Sequence, residues 1–190
     1  MELGKGKAES KEAVPALIKA LKDQDAFVRR YAAQALGEIG PDARSAASAL
    51  TTALNDSRKE VQSSAARALG KIGPSGIETL TGLIKDANKD SALRRQAVEA
   101  LGSVGEAAHS AVPALTEIVK GTVAKGKKKQ ANPDDLRLDA ITALGTIATP
   151  EDKETIQTLQ ALTDKKAKGV RREIRQAANT ALSKIQNNVK

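Results

Sequence analysis

The residues able to do chemistry in this chain are few and scattered. His109 is the sole histidine among 190 residues, and there is no cysteine. A catalytic or metal-binding histidine needs partners converging on it, and the chain has no Cys or second His to join it. His109 falls six residues before Leu115, as Lys11 and Arg44 fall before Leu17 and Leu50, so it reads as a solvated link residue. The stretches GKGK (4–7) and AKGKKK (124–129) lack the spacing of a phosphate loop and a strand ahead of it. No Gly-x-Ser-x-Gly elbow occurs. The carboxylate pairs Asp134-Asp135 and Glu151-Asp152 read as acids opening helices, where the first turn is electropositive. The expectation is a chain with no catalytic residue, no metal site and no cofactor, and not an enzyme.

What positions these residues is a helix written five times. Val28, Ala32, Ala35, Leu36 and Ile39 recur as Val61, Ala65, Ala68, Leu69 and Ile72, then as Leu93, Ala97, Ala100, Leu101 and Val104. Leu136, Ala140, Ala143, Leu144 and Ile147 form the fourth copy, and Ile174, Ala178, Ala181, Leu182 and Ile185 the fifth. The offsets of four, seven, eight and eleven describe one face of an α-helix. The anchor leucines stand 33, 32, 43 and 38 residues apart, the period of a solenoid whose units bury their apolar faces against neighbours. A shorter apolar segment precedes each copy, around Leu17, Leu50, Leu80, Leu115 and Leu159. We call the shorter helices A and the longer ones B. Pro15 and Pro113 suit the first position of an A helix. Asp25, Ser57 and Asp90 precede B helices as N-caps, Ser57 with Glu60 forming a capping box, and Asn132 serves the fourth. Gly40-Pro41 and Gly73-Pro74 end two B helices.

Aromatic residues make up only 1% of the chain, Phe27 and Tyr31 being the whole set. Thin layers of Ala, Leu, Ile and Val suit stacked helix pairs better than one thick core. Phe27 and Tyr31, at i and i+4, meet on one helix face, either as an exposed interaction pair or as a cover over the first repeat. Neither an apolar leader segment nor an apolar run long enough for a membrane span is visible, so a cytoplasmic monomer is expected. Leu3-Gly4 stands 14 residues before Leu17, as Leu36-Gly37 and Leu101-Gly102 stand before Leu50 and Leu115. That register suggests either the last turn of a repeat from a larger protein or a chance pair.

The motif Asp25-Ala26-Phe27-Val28-Arg29, running to Ala35-Leu36-Gly37-Glu38-Ile39-Gly40, resembles the HEAT repeat family in its short bacterial type, found also in phycobiliprotein lyases. The resemblance covers nearly the whole chain. It implies an all-α fold, a right-handed α-solenoid of about five HEAT-like hairpins, with repeats near 12–40, 45–73, 75–105, 111–148 and 151–187 in a single array over 1–190. It also implies that B helices line the concave side and that Asp and Arg form a ladder between turns. Here the ladder would be Asp23, Asp56, Asp86 and Asp164 facing Arg29, Arg94, Arg137 and Arg175. It is interrupted by Gln62 in place of Arg and by Gly121 in place of Asp.

Two surfaces follow as candidates. The concave face takes positions two, three, six and ten after each anchor, beginning with Arg30, Tyr31, Gln34 and Glu38 and including Ser63 and Ser103. In the last two repeats it takes Leu138, Asp139, Thr142 and Thr146, then Gln176, Ala177, Thr180 and Lys184. The expected protein-binding set is Arg30, Tyr31, Gln34, Glu38, Ser64, Arg67, Lys71, Arg95, Gln96, Glu99, Asp139 and Thr142. The second surface is a basic ridge. Residues 111–190 hold 15 Lys and Arg against 9 Asp and Glu, where 1–110 hold 16 against 14. Lys125, Lys127, Lys128 and Lys129 lie in an insertion at 121–132, and Lys165, Lys166, Lys168, Arg171 and Arg172 in the next A–B turn. Such turns share one edge of a solenoid, which gives either a dock for an acidic protein, nucleic acid or anionic lipid, or a solvated flexible loop. No aromatics interleave the cations for base stacking. The expected function is a non-catalytic protein-interaction scaffold acting through the concave face. Polyanion binding at the ridge, and a role as a bilin-lyase-like subunit implied by the resemblance alone, are the alternatives.

Overall fold

The computed structural model describes residues 2–121, 133–164 and 169–187, with side chains described within 11–121, 135–164 and 169–187. Among the described residues all regular structure is helical. The chain divides into two compact units, Met1–Leu80 and Thr81–Lys190.

The first unit runs α1 (Glu2–Ala20), α2 (Ala26–Ile39), a 3-10 turn (Gly40–Ala46), α3 (Ala47–Ala53) and α4 (Lys59–Lys71), with α5 (Pro74–Lys85) crossing the division. The A helices are α1, α3 and α5, and the B helices are α2 and α4. Asp25 caps α2 as expected, its carboxylate accepting from the Phe27 amide at 2.8 Å. Three expectations change. Pro15 lies inside α1, because the helix begins far upstream at Glu2. The residue capping α4 is Arg58, not Ser57, and no side chain bonds the free amides there. The anchor alignment explains this: Asp25, Arg58 and Asp90 are the equivalent positions, and repeat two has lost its carboxylate. The partner of Glu60 is then Arg58, at 3.7 Å on the open surface. Val28 is 39% exposed, whereas its equivalent Val61 is buried.

Small residues set the spacing of the B helices. A methyl added to Gly37 of α2 would meet Cα of Ala68 in α4 at 3.0 Å and its Cβ at 3.2 Å. Leu36, Leu50, Leu69 and Leu80 fill the surrounding layer without solvent contact, each worth about 1.5–3 kcal/mol of burial. Ala68 is buried as expected, while Ala35 is only partly so. Gly40 ends α2 with φ +70°, a conformation that costs glycine nothing, and its amide bonds Leu36 O.

The second unit runs α6 (Ser91–Val104), a 3-10 turn (Gly105–Ala111), α7 (Val112–Lys120), α8 (Pro133–Ile147), α9 (Lys153–Thr163) and α10 (Arg172–Asn187). The B helices are α6, α8 and α10. Asp90 caps α6 through the amides of Ala92 and Leu93. Pro113 falls in the first turn of α7 as expected. Gly121, left-handed at φ +76°, ψ +18°, caps α7 with its amide on Ile118 O at 3.0 Å. That cap is a reason for glycine where the ladder called for aspartate. The Gly–Ala contact repeats twice more, as Gly102 against Ala143 and Gly145 against Ala181. Ala100, Ala143 and Ala181 are buried as the register required. Between the A helices α7 and α9, two buried hydroxyls bond at 2.8 Å. Thr116 donates to Val112 O, so Thr155 is the donor to Thr116. The expected cap Asn132 lies outside the described residues.

Candidate functional site

The arginine that directly follows the B-helix anchor serves its own hairpin before it serves the next. Arg29 donates through Nη1 to Asp23 O and Gln24 O, both at 2.9 Å. Gln62 reaches Asp56 O at 2.6 Å, Arg94 reaches Ile84 O twice, and Arg137 reaches Val119 O at 2.7 Å. Arg175 bonds Thr163 O and Asp164 O. Each side chain satisfies carbonyls left open where the preceding A helix ends. The ladder proper is the bidentate pair Arg29–Asp56, Nε to Oδ2 at 2.7 Å and Nη2 to Oδ1 at 2.9 Å. Hydrogen bonding to Arg29 overcomes partial burial and holds the Asp56 carboxyl below its ordinary range. Burial lowers the pKa of Arg94, and the charge of Asp86 offsets this only in part.

His109 is not merely solvated. Its Nε2 lies 3.0 Å from Oδ2 of Asp152, the residue that precedes α9. The same oxygen accepts from the amide and hydroxyl of Thr149 at 2.7 and 3.0 Å. Burial works to raise the Asp152 carboxyl, but these hydrogen bonds outweigh it and bring the group below the ordinary range. Nothing in the local residue pattern foretells this contact, since 43 residues separate the partners. The arrangement ties a link to a turn. Among the described residues no group of three or more His, Asp or Glu stands close enough to hold a metal ion.

The exposed face of the B helices holds most of the expected set. In the first unit, Tyr31, Gln34, Glu38, Arg67 and Lys71 are exposed, and Arg30 and Ser64 partly so. Gln34 bonds Glu38 at 3.1 Å within α2. Among the described residues, the large exposed apolar side chains cluster on one turn of α2: Phe27 at 67%, Tyr31 at 57% and Val28 at 39%. The guanidinium carbon of Arg30 stands 4.7 Å from the Tyr31 ring centroid and 5.6 Å from that of Phe27, within cation–π range of both. Its Nε is buried there, with no hydrogen-bond partner among the described residues.

In the second unit, the face is partly committed to the fold. Arg95 of α6 meets Asp139 of α8, Nε to Oδ2 at 2.5 Å, and that bond raises the Arg95 pKa. Gln96 Oε1 is buried and lacks a partner among the described residues. The Thr146 hydroxyl lies 2.8 Å from Ala143 O in its own helix and 3.0 Å from Gly102 O across in α6, and its one proton is shared between them. Glu99 and Thr142 are exposed. Between α8 and α10 lies a groove of about 310 Å³, lined by Leu138, Thr142, Glu173, Gln176, Ala177, Thr180, Ala181 and Lys184. Glu173 precedes its anchor by one position, just outside the spacing used to pick the face, as does Phe27 in α2. Of the basic ridge, Arg171 and Arg172 are exposed, and Lys125, Lys127, Lys128, Lys129, Lys165, Lys166 and Lys168 lie outside the described residues.

Helical hairpins repeated in sequence, joined by small-residue contacts between B helices and capped by a recurrent arginine, define a helical-repeat scaffold. The family model for HEAT repeats matches residues 1–59 and 47–131, and the chain belongs to that family. Among curated proteins none matches it. An engineered protein of known structure is 25% identical over 93% of this chain and 80% of its own, with a TM-score of 0.52. The complex of CpcE and CpcF of phycocyanin lyase from Nostoc sp. PCC7120 is 24% identical, TM-score 0.55, over 92% of this chain and 65% of that chain. Human deoxyhypusine hydroxylase is 22% identical, TM-score 0.54, over 93% of this chain and 74% of its own. These last two likenesses concern the fold alone. No helix among the described residues is long and apolar enough to cross a membrane.

Proposed function

We propose that this HEAT-repeat chain is a non-catalytic scaffold that binds another protein through the exposed face of its B helices. The observation that carries this reading is the placement of the aromatics. A chain with one Phe, one Tyr and no Trp has both rings on the surface, side by side on α2. Burying either ring would have added more to stability than burying alanine. Tyrosine and arginine are enriched among interface hot spots, and the stacking on Arg30 limits the freedom lost on binding. The Gly–Ala contacts support the same reading, because they hold neighbouring B helices at close, fixed spacing.

The test is a pull-down from the native host with the full chain as bait, quantified by mass spectrometry beside a Phe27→Ser/Tyr31→Ser bait. The reading expects a protein retained by the first bait and reduced at least tenfold on the second, with equal melting temperatures. Equal retention on both would contradict it.

A further inference from the structure

We propose that the groove between α8 and α10 seats a short extended peptide of a partner protein, apolar at its centre, with a basic side chain at one end and an acidic one at the other. This rests on the scaffold reading and specifies the ligand chemistry of one part of that face. The floor is unusual for its register. Leu138 stands where earlier B helices carry Arg30, Ser63 and Arg95, and Ala177 where they carry Tyr31, Ser64 and Gln96. Both are partly exposed in the groove. Thr142 and Thr180 add less polarity than their names suggest. Each hydroxyl donates to the carbonyl four residues back, Leu138 O at 3.0 Å and Gln176 O at 3.1 Å. Their donors are spent, and what remains for a ligand is methyl surface and acceptor lone pairs.

The ends carry opposite charge. Glu173 sits in the first turn of α10 and Lys184 in the last, both exposed, on one stripe of the helix. Among the described residues neither joins an ion pair. The stem of Lys184 reaches back toward α8, where a methyl on Gly145 would meet its Cδ at 3.6 Å. Eleven helical residues span roughly 16 Å, about the length of five extended residues. Charges at these ends also suit the helix dipole. The dipole does not account for apolar side chains on the floor, and a peptide of this pattern satisfies both features.

The experiment uses the full chain and fluorescein-labelled synthetic peptides of the pattern Lys-Ser-Leu-Ser-Asp, with controls carrying Asp at both ends, Lys at both ends, or Ser in place of Leu. Anisotropy at low salt should rank the mixed-charge peptide first. Glu173→Lys should turn the preference toward the peptide with Asp at both ends, by roughly three- to tenfold. Leu138→Arg should abolish binding, and if that variant unfolds, the exposed Glu173→Lys change still decides. Absence of saturable binding up to millimolar peptide, or a ranking indifferent to the end charges, overturns the assignment. Should the Phe27/Tyr31 substitutions release the native partner while no peptide binds, the groove assignment alone falls.

Discussion

The α2–α4 and α6–α8 pairs solve one problem in two ways. Both must tie neighbouring B helices together beyond their Gly–Ala contact. In the first, the tie lies at the turn, where Arg29 grips Asp56 with two bonds. In the second, the aspartate's position is Gly121, which caps α7 instead, and Arg94 is left buried on Ile84 O. The charge pair has moved to the exposed face, as Arg95 with Asp139. The polar face of a repeat is therefore not uniformly free for partners. Beside Gly121, which stands where the ladder has aspartate, Arg95 and Asp139 of the face are drawn into the fold. Where the turn keeps its aspartate, as beside α2, the face is left to an exposed Phe–Arg–Tyr cluster.

Substitutions can break the comparison in order of effect. The largest should come from the contact both pairs share. Ala68→Leu against Gly37, and Ala143→Leu against Gly102, should each cost about 1–3 kcal/mol by overpacking, read as a fall in melting temperature. Ala35→Leu, at a partly exposed position, should cost less than half as much. Unchanged melting for Ala68→Leu would contradict the helix register.

Next comes the buried tie. Asp56→Ala should cost more than loss of the face pair, because it removes two charge-assisted bonds to a guanidinium with little solvent contact. Asp139→Ala should cost only about 0.2–1 kcal/mol, since Arg95 is half exposed and water replaces its partner. A urea titration of both variants compares them directly. Equal losses would mean that the face pair is as essential as the turn pair.

The pH response sharpens the same contrast. The Asp56 carboxyl titrates below its unfolded value, so its contribution is complete above the ordinary carboxylate range, near pH 4. It is lost as pH falls through the lower folded value. Melting temperatures between about pH 6 and 2 should therefore drop less steeply for Asp56→Asn than for the parent chain. Parallel curves would show that the pair is not linked to stability.

Much of this was legible in the residues. The identical offsets of five alanine–leucine sets specified the B helices and the burial of Ala68, Ala100, Ala143 and Ala181, because helical period and packing distance are local properties. Equivalent spacing also located the exposed face. Features that depend on which neighbour is present were not legible. Val28 reads as core, yet is exposed where its equivalent Val61 is buried. Ser57 reads as a cap by residue type, while the register gives that place to Arg58. Arg95 and Asp139, 44 residues apart, read as free face residues, and only folding pairs them.

Hydrogen–deuterium exchange of the full chain, with and without its captured partner, shows whether a partner engages the B-helix face. Exchange should slow in the first turns of α2, around residues 26–34, where Phe27, Arg30 and Tyr31 stand. Protection confined to residues 121–132 and 165–172, with α2 unchanged, would contradict it and assign the interaction to the basic ridge.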